Sequence, residues 1–190
     1  MSFIRFYNMS IVITGNPGVG KHTITREIVK ILGVSIIDIN KIAKDVGLFE
    51  KNGDTNDVDT KKLEKILETK LSDKNIIVGH LAPYVLAKNN VNKIIILRRN
   101  PYDLMSVYKE RKYTDEKSKE NASSEILGII THDTISKFQE KAFQLNISDK
   151  SIQETIRKIQ DIISNNNGNE EVDWLDMVTK NNDLKKFFVD

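Results

Sequence analysis

Two glycines and a lysine after a short apolar run are the feature that most constrains how this chain can fold. Residues 11–13 are β-branched, as in a buried strand, and residues 15–21 read GNPGVGK. Glycines let successive backbone N–H groups point at phosphate oxygens, and a lysine at this place reaches the β- and γ-phosphates. Residues 23–32 then have apolar side chains at helical spacing and end at Gly33, which is typical of a helix with a glycine C-cap. The order of strand, loop and helix predicts a phosphate-binding loop at a helix N-terminus.

The residue after the lysine departs from the usual phosphate loop. A serine or threonine normally stands there and its hydroxyl coordinates Mg²⁺, but this chain has His22, followed by Thr23. The Thr23 hydroxyl could still bond an α-phosphate. His22 could bind a metal through a ring nitrogen, hold a phosphate as a cation, or cap the helix, and the sequence leaves these roles open.

The composition excludes several classes of protein. The 190 residues fit one domain, and 29 basic against 27 acidic residues leave a net charge of +2, too small for strong binding to free nucleic acid or to membranes. Without cysteine the chain has no disulfide and no thiolate metal site. No apolar run approaches the roughly 20 residues of a membrane span. We expect a cytoplasmic protein in which residues 1–10 are a lead-in.

Apolar β-branched runs alternate with amphipathic stretches along the chain. The runs lie at residues 11–14, 34–39, 75–78, 93–97 and, more weakly, 143–147. The amphipathic stretches lie at residues 23–32, 41–46, 60–71, 101–109, 116–140 and 152–163. The alternation predicts a doubly wound α/β domain over residues 11–164, because parallel strands are buried on both faces and are joined by crossover helices.

Two polar segments interrupt this pattern. Residues 50–59 are acidic and rich in turn formers, which predicts a loop, and long loops in compact domains are often functional. The composition of residues 164–169 is typical of a linker. We therefore assign residues 165–190 to a linker and a C-terminal helical tail. The tail has an apolar face, and it either docks on the domain or binds a partner.

Several separated blocks of sequence together point to one family. The blocks are GNPGVGKHT at residues 15–23, IDINKIAKDVGLFE at 37–50, GHLAPY at 79–84, ILRRNP at 96–101, ERKYTDEKSKENASSEI at 110–126 and EVDWLDM at 171–177. With this ordered set, the chain resembles the adenylate kinase isoenzyme 6 family, especially its archaeal branch. The resemblance implies a P-loop nucleoside monophosphate kinase core with a five-stranded parallel sheet, a monophosphate segment near residues 38–63 and a small lid near residues 110–120.

The resemblance also implies an activity and its ligands. The expected reaction is transfer of the γ-phosphoryl group of ATP to AMP, with ATPase activity and with Mg²⁺ held by few direct protein ligands. Eukaryotic members of the family are small-subunit ribosome biogenesis factors. The alternative is therefore an ATP-switched assembly factor that acts on a small-subunit ribosomal protein or a pre-ribosome during rRNA processing. A dedicated RNA-binding protein is poorly supported, because the basic residues are dispersed.

The resemblance assigns roles to residues only where the motifs match. The residues implied to line the ATP phosphates are Gly15, Gly18, Val19, Gly20, Lys21, His22 and Thr23, together with the lid arginine, Arg111. Lys21, Arg111 and His80, which matches the family histidine after the third strand, are the implied catalytic residues. The resemblance favours a role for His80 in positioning nucleotide or water, and the alternative is a structural, hydrogen-bonded histidine.

Two neighbouring arginines are further candidates on chemical grounds. Arg98 and Arg99 follow an apolar strand, and ligands in this architecture bind at the carboxyl ends of the strands. Phosphoryl transfer needs positive charge around the moving group. The alternative is that both are solvated surface charges.

The chain also departs from its family at sites that matter for the chemistry. Archaeal members have an aspartate where this chain has Val78, so that two usual Mg²⁺ tethers are missing once His22 is included, and the metal ligands are left unassigned. Magnesium could still bind to the phosphates of the nucleotide with few protein ligands, because it keeps most of its bound water. Residues 38–63 contain no arginine, and a lysine lacks the bidentate fork that grips a phosphate.

Overall fold

The described part of the computed structural model, residues 10–52, 55–72 and 75–188, is built around a parallel sheet. The strands are β1 (Ser10–Thr14), β2 (Ser35–Asp38), β3 (Phe49–Asn52), β4 (Thr55–Val58), β5 (Asn75–Val78), β6 (Val91–Arg98) and β7 (Ala142–Asn146). Five of them form a sheet in the order β2-β5-β1-β6-β7, with every neighbouring pair parallel. The predicted five-stranded parallel sheet is confirmed. The expected lead-in falls almost entirely on residues 1–9, outside the described residues.

Helices cover both faces of this sheet. They are α1 (Lys21–Leu32), α2 (Ile39–Asp45), α3 (Thr60–Glu68), α4 (Ala82–Val85), α5 (Pro101–Glu110), α6 (Asp115–Ile126), α7 (Ile129–Phe138), α8 (Ile152–Asn165), α9 (Trp174–Lys180) and α10 (Leu184–Phe188). Successive strand residues point to opposite faces, so Ile13 packs with α1, α5, α6 and α8, whereas Val12 packs with α2, α3, α4 and α7. The central strands are therefore apolar on both sides.

Two sequence expectations are wrong in detail. Residues 50–59 are not an irregular loop, because β3 and β4 pair antiparallel there. The single helix expected over residues 116–140 is broken into α6 and α7 at Gly128, whose φ is +63°. Glycine adopts this left-handed conformation without steric penalty, and the break turns the chain while the amphipathic pattern continues across it.

The C-terminal segment packs on the domain. Trp174, Val178 and Phe187 are all at most 8% exposed and belong to the same core as α1 and α5. Before them, Asn169 and Glu170 hydrogen-bond with the backbone of Gln144 and Asn146 along β7. This segment therefore covers a strand edge that would otherwise present unpaired backbone groups. Within the described ranges, no helix is long and apolar enough to cross a membrane.

Candidate active site

The loop between β1 and α1 is shaped by its close approach to neighbouring elements. Gly15, Gly18 and Gly20 all have positive φ. A side chain at Gly15 would place its Cβ 2.4 Å from the Leu97 carbonyl oxygen of β6, a separation that no real Cβ adopts. The loop is thus folded back against the carboxyl end of the sheet, and α1 begins directly at Lys21.

The Lys21 side chain curls back over this loop. Its Nζ donates to the carbonyl oxygens of Gly15 and Asn16, both at 2.8 Å. Burial lowers the pKa of Lys21 to about 7, while the negative charge of Glu125 opposes that fall and the positive charge of Arg111 adds to it. The lysine is therefore a buried, desolvated amine whose charged form a neighbouring anion would favour.

His22 is paired with a carboxylate rather than left free. Its Nε2 donates to Asp38 Oδ2 at 2.9 Å, and the Lys41 backbone N–H donates to Asp38 Oδ1 at 3.0 Å. Burial opposes ionisation of Asp38, but the hydrogen bonds from His22 and Lys41 outweigh it and hold its pKa below the usual value. His22 thus ties the start of α1 to the N-cap of α2.

His80 lies two residues beyond the end of its strand, β5, and faces the same loop. The strand ends are joined there, because the Thr14 hydroxyl donates to the Gly79 carbonyl at 2.9 Å. Burial lowers the pKa of His80 to about 4, and the positive charge of Lys21 acts in the same direction. Asn40 Nδ2 lies 3.2 Å from His80 Nδ1, and with the amide nitrogen donating in this orientation the neutral ring carries its proton on Nε2.

Arg111 and its neighbours form the wall opposite the loop. Arg111 is the C-cap of α5. In the same element, the Tyr108 hydroxyl donates to the Pro17 carbonyl at 2.7 Å. The Tyr108 ring stacks on that of Tyr113, with centroids 5.5 Å apart, and Lys117 Nζ lies 5.0 Å from the Tyr113 centroid. Aromatic stacking thus fixes the predicted lid against the phosphate loop.

These elements enclose one cleft of about 530 Å³. Its lining residues are Pro17, Gly18, Gly20, Lys21, His22, Thr23, Arg26, Asn40, Phe49, His80, Arg111, Tyr113, Lys117, Glu120 and Asn121. Most of the residues that the resemblance points to are brought together here. Gly15 and Val19 are not in the lining: Gly15 offers its carbonyl to Lys21, and Val19 is fully buried in the core.

Sequence patterns gave no role to several residues of this cleft. Arg26, Asn40, Tyr113 and Lys117 were not singled out, although three of them fall inside the quoted family blocks. Helical spacing is the signal that indicates Arg26. It stands four residues after His22 and therefore shares the same face of α1.

The two strand-end arginines lie apart from the cleft lining. Arg98 is 2% exposed, and its Nε donates to Glu125 Oε1 at 2.8 Å while its Nη2 donates to the Glu125 carbonyl at 2.8 Å. Neither interpretation of Arg98, as phosphate ligand or as solvated charge, describes this buried ion pair. Arg99 is half-buried, and its Nε lies 3.9 Å from Asp103 Oδ2.

Oxygen donors for a metal are scarce around the phosphate loop. Val78 is fully buried and apolar, His22 is bonded to Asp38, and Thr23 is exposed beside them. In the parts of the chain that the structure describes, no group of three or more His, Cys, Asp or Glu side chains could hold a metal ion. Magnesium prefers oxygen ligands, so these residues do not form a set that would bind it directly.

Comparison with known proteins gives consistent matches for sequence and fold. Residues 11–128 match the AAA domain family. A protein named "Putative adenylate kinase" from Pyrococcus furiosus is 30% identical over 157 residues, which cover 82% of this chain and 84% of that protein. A protein of the same name from Methanosarcina barkeri is 30% identical over 187 residues, covering 90% and 100%. The structure also resembles shikimate kinase from Bacteroides thetaiotaomicron, with a TM-score of 0.60 and 17% identity over 83% of this chain and 99% of that one, which shows a P-loop kinase fold.

Proposed function

Because the chain belongs to the AAA domain family and to the family of these archaeal proteins, we propose that it is an adenylate kinase. In the proposed reaction an oxygen of the AMP phosphate attacks the γ-phosphorus of ATP. The bond from that phosphorus to the β–γ bridging oxygen breaks, and two ADP form. The observation that carries the proposal is that Lys21, His80 and Arg111 line the same cleft. Slow ATP hydrolysis is expected when no acceptor is bound.

Lys21 is proposed to neutralise the β- and γ-phosphates. Its ammonium donates to the Gly15 and Asn16 carbonyls, and burial lowers its pKa. A phosphate beside it favours the charged form and raises that pKa again. Part of the desolvation of this group is thus complete before the nucleotide arrives, as electrostatic preorganisation requires.

Arg111 is proposed to stabilise charge on the moving phosphoryl group. Arg111 lines the same cleft as Lys21, and its positive charge adds to the lowering of the Lys21 pKa that burial causes. Phosphoryl transfer spreads negative charge over the equatorial oxygens of the transferred group. An arginine opposite the loop lysine therefore interacts more strongly with the transition state than with ATP.

His80 is proposed to act as a neutral hydrogen-bond donor. A pKa of about 4 keeps the imidazole uncharged near neutral pH. With Nδ1 accepting from Asn40, Nε2–H is the group available to a phosphate oxygen or to a water. This arrangement orients a reacting group without adding a third positive charge beside Lys21.

The acceptor phosphate is proposed to bind on the side of Arg26. Residues 38–63 lack arginine, but Arg26 of α1 lines the cleft together with Asn40 and Phe49 of that segment. A guanidinium offers paired donors that match a phosphate. Arg26 can thus supply from α1 the fork that the monophosphate segment does not contain, and the Phe49 ring offers a surface for the base.

Magnesium has no step in this mechanism. The family and ATP chemistry imply the ion, but His22 and Val78 carry no oxygen ligand, and both carboxylate oxygens of Asp38 accept hydrogen bonds from His22 and Lys41. When bound with the nucleotide, such an ion would neutralise phosphate charge. What this chain itself contributes near the phosphates is Lys21, Arg111 and the loop N–H groups.

The lack of direct magnesium ligands around the phosphate loop favours a second candidate function. A nucleotide site without tethered metal suits a slow switch better than a fast transferase, so an ATP-switched assembly factor for the small ribosomal subunit, with weak kinase activity, is the alternative. The two candidates differ in their response to an acceptor.

A coupled assay for ADP formation from ATP, with and without AMP, tests the proposal. We expect AMP to accelerate ADP formation, and we expect Lys21→Ala to abolish the acceleration. Lys30→Ala, which removes an exposed lysine from the same helix, is the matched control and should behave like wild type. An ADP formation rate that is unaffected by AMP would overturn the kinase proposal and favour the switch.

A further inference from the structure

A fully buried carboxylate connects the phosphate loop with the C-terminal segment. Glu125 of α6 is 0% exposed. Its Oε1 accepts from Arg98 Nε at 2.8 Å, from the Arg99 backbone N–H at 3.1 Å and from Trp174 Nε1 at 3.0 Å. Its Oε2 accepts from Asn16 Nδ2 at 2.7 Å. Three of these four donors thus bond to the same oxygen, Oε1.

The division of donors between the two oxygens gives the carboxylate a fixed orientation. The end of β6 and the tail together occupy Oε1, which leaves Oε2 directed at Asn16 of the phosphate loop. The other end of the Asn16 amide is also held, because the Ser124 hydroxyl donates to its Oδ1 at 3.0 Å. The backbone carbonyl of Asn16 in turn accepts from Lys21 Nζ at 2.8 Å. A continuous chain of hydrogen bonds thus runs from Trp174 to Lys21.

We propose that Trp174 is a positioning residue, through which the docked C-terminal segment holds the phosphate loop in its nucleotide-binding shape by way of Glu125 and Asn16. The functional consequence rests on the proposed function, because it takes the loop as the ATP phosphate site. This one carboxylate couples Asn16 with two distant parts of the chain. Glu125 lies 109 positions after Asn16, and Trp174 lies 158 positions after it.

Two features indicate that the C-terminal segment helps to determine the conformation of the phosphate loop and does not only cover the domain. Charge-assisted hydrogen bonds are the stronger ones, and the indole N–H is one of the three donors to Oε1 found among the described residues. The Trp174 ring is 8% exposed and packs in the core cluster, so it also shields the Glu125 carboxylate from water. Glu125 charge supports the Lys21 cation, and such support weakens when water reaches the carboxylate.

Amide hydrogen exchange of the nucleotide-free protein tests this coupling. Trp174→Phe keeps an aromatic ring but removes the donor to Glu125. Tyr102→Phe is the matched control, because it removes two different bonds to the tail: the Tyr102 hydroxyl donates to Asp183 Oδ2 at 2.7 Å and accepts from Asn181 Nδ2 at 3.2 Å. We expect exchange of the amides in residues 15–21 to be several-fold faster in Trp174→Phe and unchanged in Tyr102→Phe. Equal loop exchange in both variants and wild type would overturn the proposal, even if both melt at lower temperature.

Calorimetry with ATP then measures the effect on nucleotide affinity. We expect the Kd for ATP to rise about threefold to tenfold in Trp174→Phe, which corresponds to about 0.7–1.4 kcal/mol, and to stay within about twofold of wild type in Tyr102→Phe. An unchanged Kd in Trp174→Phe would overturn the effect on nucleotide binding. If wild type itself does not bind ATP, the kinase proposal falls, while the exchange experiment still decides whether Trp174 holds the loop.

Discussion

Glu125→Gln is the substitution whose effect the structure determines most closely. It keeps the size of the side chain but removes the negative charge, and it leaves Arg98 as a buried cation without a counter-ion. The Arg98 and Glu125 side chains are 3% and 0% exposed, so solvent cannot compensate. Removing one partner of a buried ion pair typically costs about 3–5 kcal/mol. Domains are stable by only about 5–15 kcal/mol, so this one change should remove a large share of the stability.

Thermal and urea unfolding measure this loss. For a chain of this size about 1 kcal/mol lowers Tm by about 2–4 °C, so we expect Glu125→Gln to lower Tm by about 6–20 °C. Asp45→Asn, which breaks an exposed ion pair with Lys41, should leave Tm unchanged. Adding Arg98→Met to Glu125→Gln removes the stranded charge and should restore part of the stability, because the two residues are coupled. A Tm shift for Glu125→Gln no larger than that of Asp45→Asn would refute the reasoning.

Three further perturbations test other parts of the site. Arg111→Ala should lower kcat more than it weakens ATP binding, whereas Lys109→Ala, an exposed control on the same helix, should change neither; a raised ATP Kd with unchanged kcat would show that Arg111 only binds nucleotide. His80 has a folded-state pKa of about 4 against an ordinary 6.5. The unfolded state therefore binds more protons between these values, and stability should fall by about 3 kcal/mol as pH drops from 6.5 to 4; urea titrations of wild type and His80→Gln check this, and parallel pH profiles would contradict it. His22→Thr combined with Val78→Asp should raise the rate and sharpen its Mg²⁺ dependence more than either change alone, since both groups would serve one ion; no gain in any variant across a magnesium titration would mean that both native residues are neutral for metal use.

Local patterns in the sequence predicted much of the sheet and the loop. The strand, the glycine loop and α1 depend on short-range signals, namely β-branched runs, positive-φ glycines and helical spacing, and all three appear where the pattern put them. The break at Gly128 was missed because the polar and apolar alternation continues through it. The β3–β4 hairpin was missed because its sequence is polar and rich in turn formers, which also describes a loop.

The candidate site was predictable next to the glycine loop and, for His80 and Arg111, from the family resemblance, since both line the cleft. Lys21, His22 and Thr23 follow directly from the glycine loop. Arg26 could have been found by continuing the helical face of His22. Glu125 could not, because its role depends on contacts with Asn16 and Trp174 that only the folded chain creates, and a glutamate in a charged helix ordinarily suggests a solvated side chain.

The fate of the γ-phosphoryl group tests the central claim most directly. ATP labelled in its γ-phosphate is incubated with the protein and AMP, and the products are separated. We expect one equivalent of label in the β-position of ADP for each AMP consumed, little label in inorganic phosphate, and no transfer by Lys21→Ala. Label that appears only as inorganic phosphate, at a rate independent of AMP, would contradict a kinase built on this cleft.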